Sequence, residues 1–141
     1  MTEADKILKM IETVGPADTE TMDEIDARVW CYLDGCVFAA VKHDRIFALH
    51  PKNQTEDEIF NGVCTLRYTR SLDASHAIET RGVYIWVRRW AMSNIQYYYP
   101  ECELYGSMII TDWEKARCAT EYLAYLHGKI QFIKHERENN E

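Results

Sequence analysis

From Thr2 to Val14 apolar residues stand at Ile7, Leu8, Met10, Ile11 and Val14, the i, i+3, i+4, i+7 spacing of an amphipathic helix. Gly15-Pro16 stops it. Thr21 with Glu24 three residues on reads as a capping box, in which hydroxyl and carboxylate satisfy orphaned N–H groups at a helix start. Met22, Ile25, Val29, Trp30 and Leu33 then share one stripe, and Asp34-Gly35 ends this second helix. The pattern next shifts to short apolar runs, Val37 to Val41 and Ile46 to Leu49, around His43-Asp44-Arg45, which predicts a hairpin. Pro51 to Gly62 is polar and reads as a surface loop. Ser71 to Thr80 predicts a short helix with Thr69 or Ser71 as N-cap, Asp73 near the positive end of the helix dipole, and Gly82 closing it.

The sharpest strand signal follows. Val83, Ile85 and Val87 alternate with Tyr84, Trp86 and Arg88, and Ile95 to Tyr99 continues after a turn at Met92-Ser93-Asn94. One face is aliphatic and the other aromatic and basic, so the sheet is expected to be covered at least in part on both sides. Leu104 to Ile110 adds a strand with a bend at Tyr105-Gly106-Ser107. Thr111 with Glu114 is a second capping box, and Trp113, Ala116, Ala119 or Thr120, Leu123, Ala124, His127 and Ile130 follow helical spacing among strong helix formers. Gly128 ends or weakens this helix, and Lys134 to Glu141 is expected to be an unstructured charged tail. The order of elements predicts an α+β fold: a three-layer α/β/α sandwich with a mostly antiparallel sheet, helices at both termini and one short helix mid-chain. Residues 1–141 form one domain, with 1–20 as an N-terminal helical extension.

Composition supports that reading. A chain of 141 residues, 47% hydrophobic, buries roughly 68–70% of its unfolded surface and needs neither disulfides nor metal to fold. The net charge of −7 argues against coating DNA or anionic lipid. The charge is uneven, however. Nine acids face three bases from Met1 to Asp34, whereas Arg67, Arg70, Arg81, Arg88 and Arg89 outnumber Asp73 and Glu79 between Arg67 and Trp90. Local anion binding is therefore compatible with an acidic chain. Cys31, Cys36, Cys64, Cys102 and Cys118 are an odd, scattered set without a preceding signal-peptide pattern, and predict free thiols in a reducing cytoplasm. No apolar run approaches the roughly 20 residues of a membrane-spanning helix.

Two stretches carry a resemblance. Tyr68-Thr69-Arg70-Ser71-Leu72-Asp73-Ala74, followed by a Gly-Val strand with aromatic residues, and the alanine-containing segment from Thr111 to Leu123 make residues 22–126 resemble the phage ABA sandwich domain. The resemblance implies a bacteriophage or prophage origin and an α/β/α sandwich; with the cysteine reading, the expected site of action is the host cell cytoplasm. It implies no activity and no catalytic residues. In physical terms Tyr68 packs its ring, Thr69 or Ser71 caps the next helix beside Asp73, and Ala74 permits close helix–sheet approach.

No nucleophile elbow, phosphate loop, dinucleotide fingerprint, metalloprotease helix or calcium loop is present. His43 and His50 with Asp44 between them have the chemistry of a metal or acid–base pair, and hairpin-turn polarity explains them equally well. Cys31 and Cys36 read as small buried hydrophobes rather than zinc ligands. Cys36 or Cys64 with His43 or His76 defines the hydrolase alternative. The main candidate surface is Arg88, Arg89, Trp90, Tyr97, Tyr98 and Tyr99, beside Tyr84 and Trp86, because guanidinium groups and aromatic faces bind phosphate, stack nucleobases and populate protein interfaces. The expected function is a non-enzymatic binding module without cofactor or metal. Its expected partner is a host or phage protein, with a nucleotide or small anion as the alternative ligand and a homodimer through the tyrosine-rich hairpin.

Overall fold

The computed structural model describes residues 2–42, 45–49, 56–60, 66–78, 80, 83–104, 107, 108 and 116–139. Helix α1 (Glu3–Thr13) opens at a capping box in which the Thr2 hydroxyl accepts from the Asp5 N–H and the Asp5 carboxylate accepts from the Thr2 N–H. Its apolar stripe buries Ala4, Ile7, Leu8 and Ile11. Helix α2 (Thr19–Asp34) begins before the predicted Thr21–Glu24 box, because the Asp18 carboxylate accepts from the Thr21 N–H and caps an earlier turn. It ends at Gly35, whose φ of 79° is a left-handed conformation that costs a glycine little.

Strands β1 (Val37–Lys42) and β2 (Arg45–Leu49) form the predicted first hairpin. The expected loop at 51–62 contains a third strand, β3 (Glu56–Phe60), antiparallel to β2. Its acidic sequence suits an edge strand, where charge discourages further pairing. Helix α3 (Leu72–His76) takes Ser71 as its cap: the Ser71 hydroxyl accepts from the Ala74 N–H at 3.2 Å. Strands β4 (Val83–Met92) and β5 (Ile95–Leu104) pair over ten residues each, and β6 (Ser107–Met108) pairs with the end of β5. Ser93, at the first of the two loop residues, has φ 54°.

Helix α4 (Glu121–Asn139) differs from expectation at both ends. The predicted start at residue 112 lies outside the described residues, but Cys118, placed within that predicted helix, instead exchanges both backbone hydrogen bonds with Tyr98, at 2.9 and 2.8 Å. Pro100 has no N–H to continue that ladder. The chain turns into α4 only where the Thr120 hydroxyl accepts from the Leu123 N–H. At the other end, residues 134–139, expected as an unstructured tail, are helical. Lys134 donates to Asp5 at 2.6 Å, and Arg137 donates to the Tyr32 carbonyl at 2.8 Å while its guanidinium lies 4.3 Å from the Tyr32 ring centre. Gly128 neither ends nor interrupts the helix.

The class is α+β, with antiparallel sheets, a helix at each end and a short helix mid-chain. The described strands are divided between two three-stranded sheets, β1-β2-β3 and β4-β5-β6. The sheets are linked through helices. Ala27 and Cys31 of α2 pack with Ile46 of β2, whereas Val83 of β4 and Cys102 of β5 pack with Phe132 of α4. A different helix packs on each sheet. The main core lies between the helices, around Ile7, Ile11, Ile25, Val29, Leu123, Leu126 and Ile130.

Candidate functional site

The β4–β5 register sorts the candidate residues by face. Directly opposed residues of an antiparallel pair share a face, and neighbours along a strand alternate. Val83, Ile85 and Val87, with the opposed Cys102 and Pro100, turn toward α4. Tyr84, Trp86, Arg88 and Trp90, with Glu101, Tyr99 and Tyr97 from β5, form the outer face.

On the outer face the side chains engage one another. Trp90 and Tyr97 stack with ring centres 4.9 Å apart and planes 17° from parallel, and Tyr99 lies 6.2 Å from Tyr97 in a tilted arrangement. Glu101 Oε2 accepts from Trp86 Nε1 at 3.0 Å and from Arg88 Nε at 2.6 Å. The same carboxylate raises the Arg88 pKa above the ordinary arginine value. More than half of the Arg88 side chain stays in solvent. The Tyr98–Cys118 bridge places Arg117 on this face too, and its guanidinium lies 4.9 Å from the Tyr97 ring centre. Tyr84, 75% exposed, and Ile95, 60% exposed, extend the apolar surface along the hairpin.

Of the six predicted binding residues, the structure gathers Arg88, Trp90, Tyr97 and Tyr99. Tyr98 and Arg89 oppose each other on the opposite face: Tyr98 packs against the core and accepts from Gln96 Nε2 at 2.6 Å, and Arg89 is exposed. Strand parity carries this distinction, since Tyr98 is out of phase with its two neighbours. Arg117 and Glu101 were not singled out by sequence. Glu101 could have been found from its parity with Tyr97 and Tyr99, but Arg117 joins only through a long-range bridge.

The Tyr68–Ala74 stretch is an architectural joint. The Thr69 N–H donates to Asp26 Oδ1 at 2.9 Å, Arg70 reaches Asp26 Oδ2 at 2.9 Å and Asp23 Oδ1 at 2.5 Å, and the Ser75 hydroxyl donates to the Tyr68 carbonyl at 3.0 Å. Asp26 is buried, and loss of hydration pushes its carboxyl pKa up against the opposing pull of Thr69 and Arg70. Ala74 is buried, while Asp73 is exposed on α3.

His43, Asp44, His50 and Cys64 lie outside the described residues. The other thiols are held protonated at neutral pH. Burial pushes Cys31 and Cys118 up to about 12 and Cys102 up to about 11. Cys36, also raised by burial, donates to Asp34. None is thereby an activated nucleophile. His76 Nδ1 meets the Tyr125 hydroxyl at 3.0 Å. Among the described residues no group of three His, Cys, Asp or Glu side chains is placed to hold a metal ion, and no helix is long and apolar enough to cross a membrane.

Comparison with protein-family models, curated proteins and solved structures finds no match to this chain.

Proposed function

We propose that this protein is a non-enzymatic binding module whose contact surface is the outer face of the β4–β5 hairpin. The observation that carries this reading is the continuous aromatic face of Trp90, Tyr97 and Tyr99, flanked by Arg88 and Arg117, on the side of the sheet opposite α4. Tryptophan, tyrosine and arginine are the residue types in which protein interfaces are enriched and on which binding energy concentrates. A protein partner suits the surface better than a nucleotide. Trp90 already stacks on Tyr97, which leaves no slot between them for a base, and the Arg88 charge is matched by Glu101. On the wording at Tyr68–Ala74 that resembles the phage ABA sandwich domain, we take the partner to be a host or phage protein, such as a host defence or regulatory component met in the cytoplasm.

The test is affinity capture from infected host cells with the wild type and with a Trp90→Ala/Tyr97→Ala double variant whose fold is verified by circular dichroism. A partner retained by the wild type and lost by the variant is expected; identical captures would overturn the proposal. Light scattering on both proteins distinguishes a homodimer through the same face. The exposed guanidinium of Arg88 keeps a nucleotide or small anion as the second reading, and absence of any thermal shift at ligand excess would remove it.

A further inference from the structure

Tyr98 uses both its backbone N–H and its C=O on Cys118. Alternate residues of a strand direct these groups to the same side, so the carbonyls of Tyr98, Pro100 and Cys102 and the N–H groups of Tyr98 and Cys102 turn away from β4. Their opposed residues Arg89, Val87 and Ile85 turn their own N–H and C=O groups away from β5, toward the far side of β4. Among the described strands β4 has no neighbour there. A cleft of about 490 Å³ runs along this side, within the roughly 300–1,000 Å³ range of ligand sites. Ile85, Trp86 and Val87 all line it. Three consecutive strand residues point to alternating faces, so they line one cleft together only where the strand is met edge-on.

The opposite wall is α3, through Leu72, Asp73 and His76, and Glu121 and Tyr125 of α4 complete the lining. The 3.0 Å contact between His76 and Tyr125 fixes this wall to α4. Behind it, the buried Lys129 amine donates to the Ile78 carbonyl at 2.9 Å and to the Thr80 hydroxyl at 3.1 Å. The wall is thus held in place beside a strand edge. Leu72 is 42% exposed, and among the described residues the carboxylates that line the cleft, Asp73 and Glu121, are exposed.

We propose that this cleft is a strand-addition site for an extended, basic segment of a partner polypeptide. The segment's backbone pairs with the edge groups of Ile85 and Val87, which supplies affinity independent of sequence. Its alternate side chains supply selectivity: an apolar one meets Leu72, Ile85 and Val87, and a lysine or arginine meets Asp73 and Glu121. The site does not depend on the outer-face reading, since Arg88, Trp90, Tyr97 and Tyr99 take no part in its lining.

Fluorescence anisotropy on the full chain tests it with a labelled, acetylated pentapeptide of alternating valine and lysine. Saturable binding is expected, about tenfold weaker when glutamate replaces lysine. N-methylation of one alternate set of peptide amides is expected to abolish binding, and methylation of the other set to spare it. Hydrogen exchange at the Ile85 and Val87 amides slows on saturation. Asp73→Asn with Glu121→Gln is expected to weaken the lysine peptide several-fold and leave the glutamate peptide unweakened. Should that variant misfold, the N-methylated peptides test the wild type by themselves. No saturable binding at roughly millimolar peptide, or equal binding of both methylated sets, would overturn the proposal. So would a free chain that sediments as a dimer with those two amides already protected, because a second copy then holds the edge.

Discussion

The two faces of the β4–β5 hairpin come from the same twenty residues and the same alternation, yet they are used in opposite ways. The inner face joins the fold. Val83 and Cys102 are buried against Phe132, and α4 comes so near at Gly128 that an added methyl group would lie 2.8 Å from Ile85 Cγ2 and 3.0 Å from Pro100 Cβ. The outer face is packed within itself, by Trp90 on Tyr97, Arg117 over Tyr97, and Glu101 between Trp86 and Arg88. Bulk hydrophobicity does not explain the choice, since the outer face holds the larger rings. The inner face is the one whose compact aliphatic side chains and proline let a helix approach closely, and close packing is what a core requires.

Disturbing that approach is expected to have the largest effect. Gly128→Ala should lower stability by about 1–3 kcal/mol, because the proline ring and the branched isoleucine cannot both retreat; an unchanged denaturation midpoint would break the distinction between the faces. Lys129→Met should cost about 1–3 kcal/mol by leaving the buried Ile78 carbonyl without its donor. This effect also has a pH signature. Burial holds the Lys129 amine below its ordinary value, so the folded chain releases that proton at lower pH than the unfolded chain. The wild type's margin over Lys129→Met should therefore widen as pH rises toward the ordinary lysine value.

On the outer face, a double-mutant cycle of Trp90→Ala and Tyr97→Ala should give a coupling of about 0.5–1.5 kcal/mol from the stacked pair. Chemical denaturation of all four proteins measures it, and a coupling near zero would mean that the stack is not maintained in solution. At the loop where both faces begin, Ser93→Gly should stabilise by about 0.5–1 kcal/mol, since φ 54° suits glycine better than serine. A loss of stability there would show that the serine side chain contributes more than its backbone conformation costs.

Much of this arrangement is legible in the chain itself. Stripe and alternation predict α1, α2, both hairpins and α3, and Ser71 is one of two caps that the pattern offers. The failures share a cause. Cys118 lies in a helix-favouring stretch, but its backbone pairs with Tyr98, twenty residues earlier, and no local propensity reports such a partner. The 134–139 segment is too charged to suggest order, yet Lys134 and Arg137 each find a partner on α1 or α2. Glu56–Phe60 looks like a loop because an edge strand can be acidic. For the candidate surface, alternation gathers Arg88, Trp90, Tyr97 and Tyr99, whereas Arg117 required knowing which strand passes beside β5.

By itself, then, the sequence determined α1, α2, α3 and the two hairpins, the α+β class and the division of the β4–β5 hairpin into an aliphatic and an aromatic face. These follow from spacing within one segment, where neighbours are fixed by the helical and strand periods. Tertiary structure decided which face received α4, where α4 began and ended, and, among the described strands, how they divided between two sheets and that β4 would lie at the rim of its own. Those outcomes depend on contacts between segments distant in the chain. Burial rewards apolar area without direction, so the partner that fills a face is selected by shape and by backbone pairing, which no single segment contains.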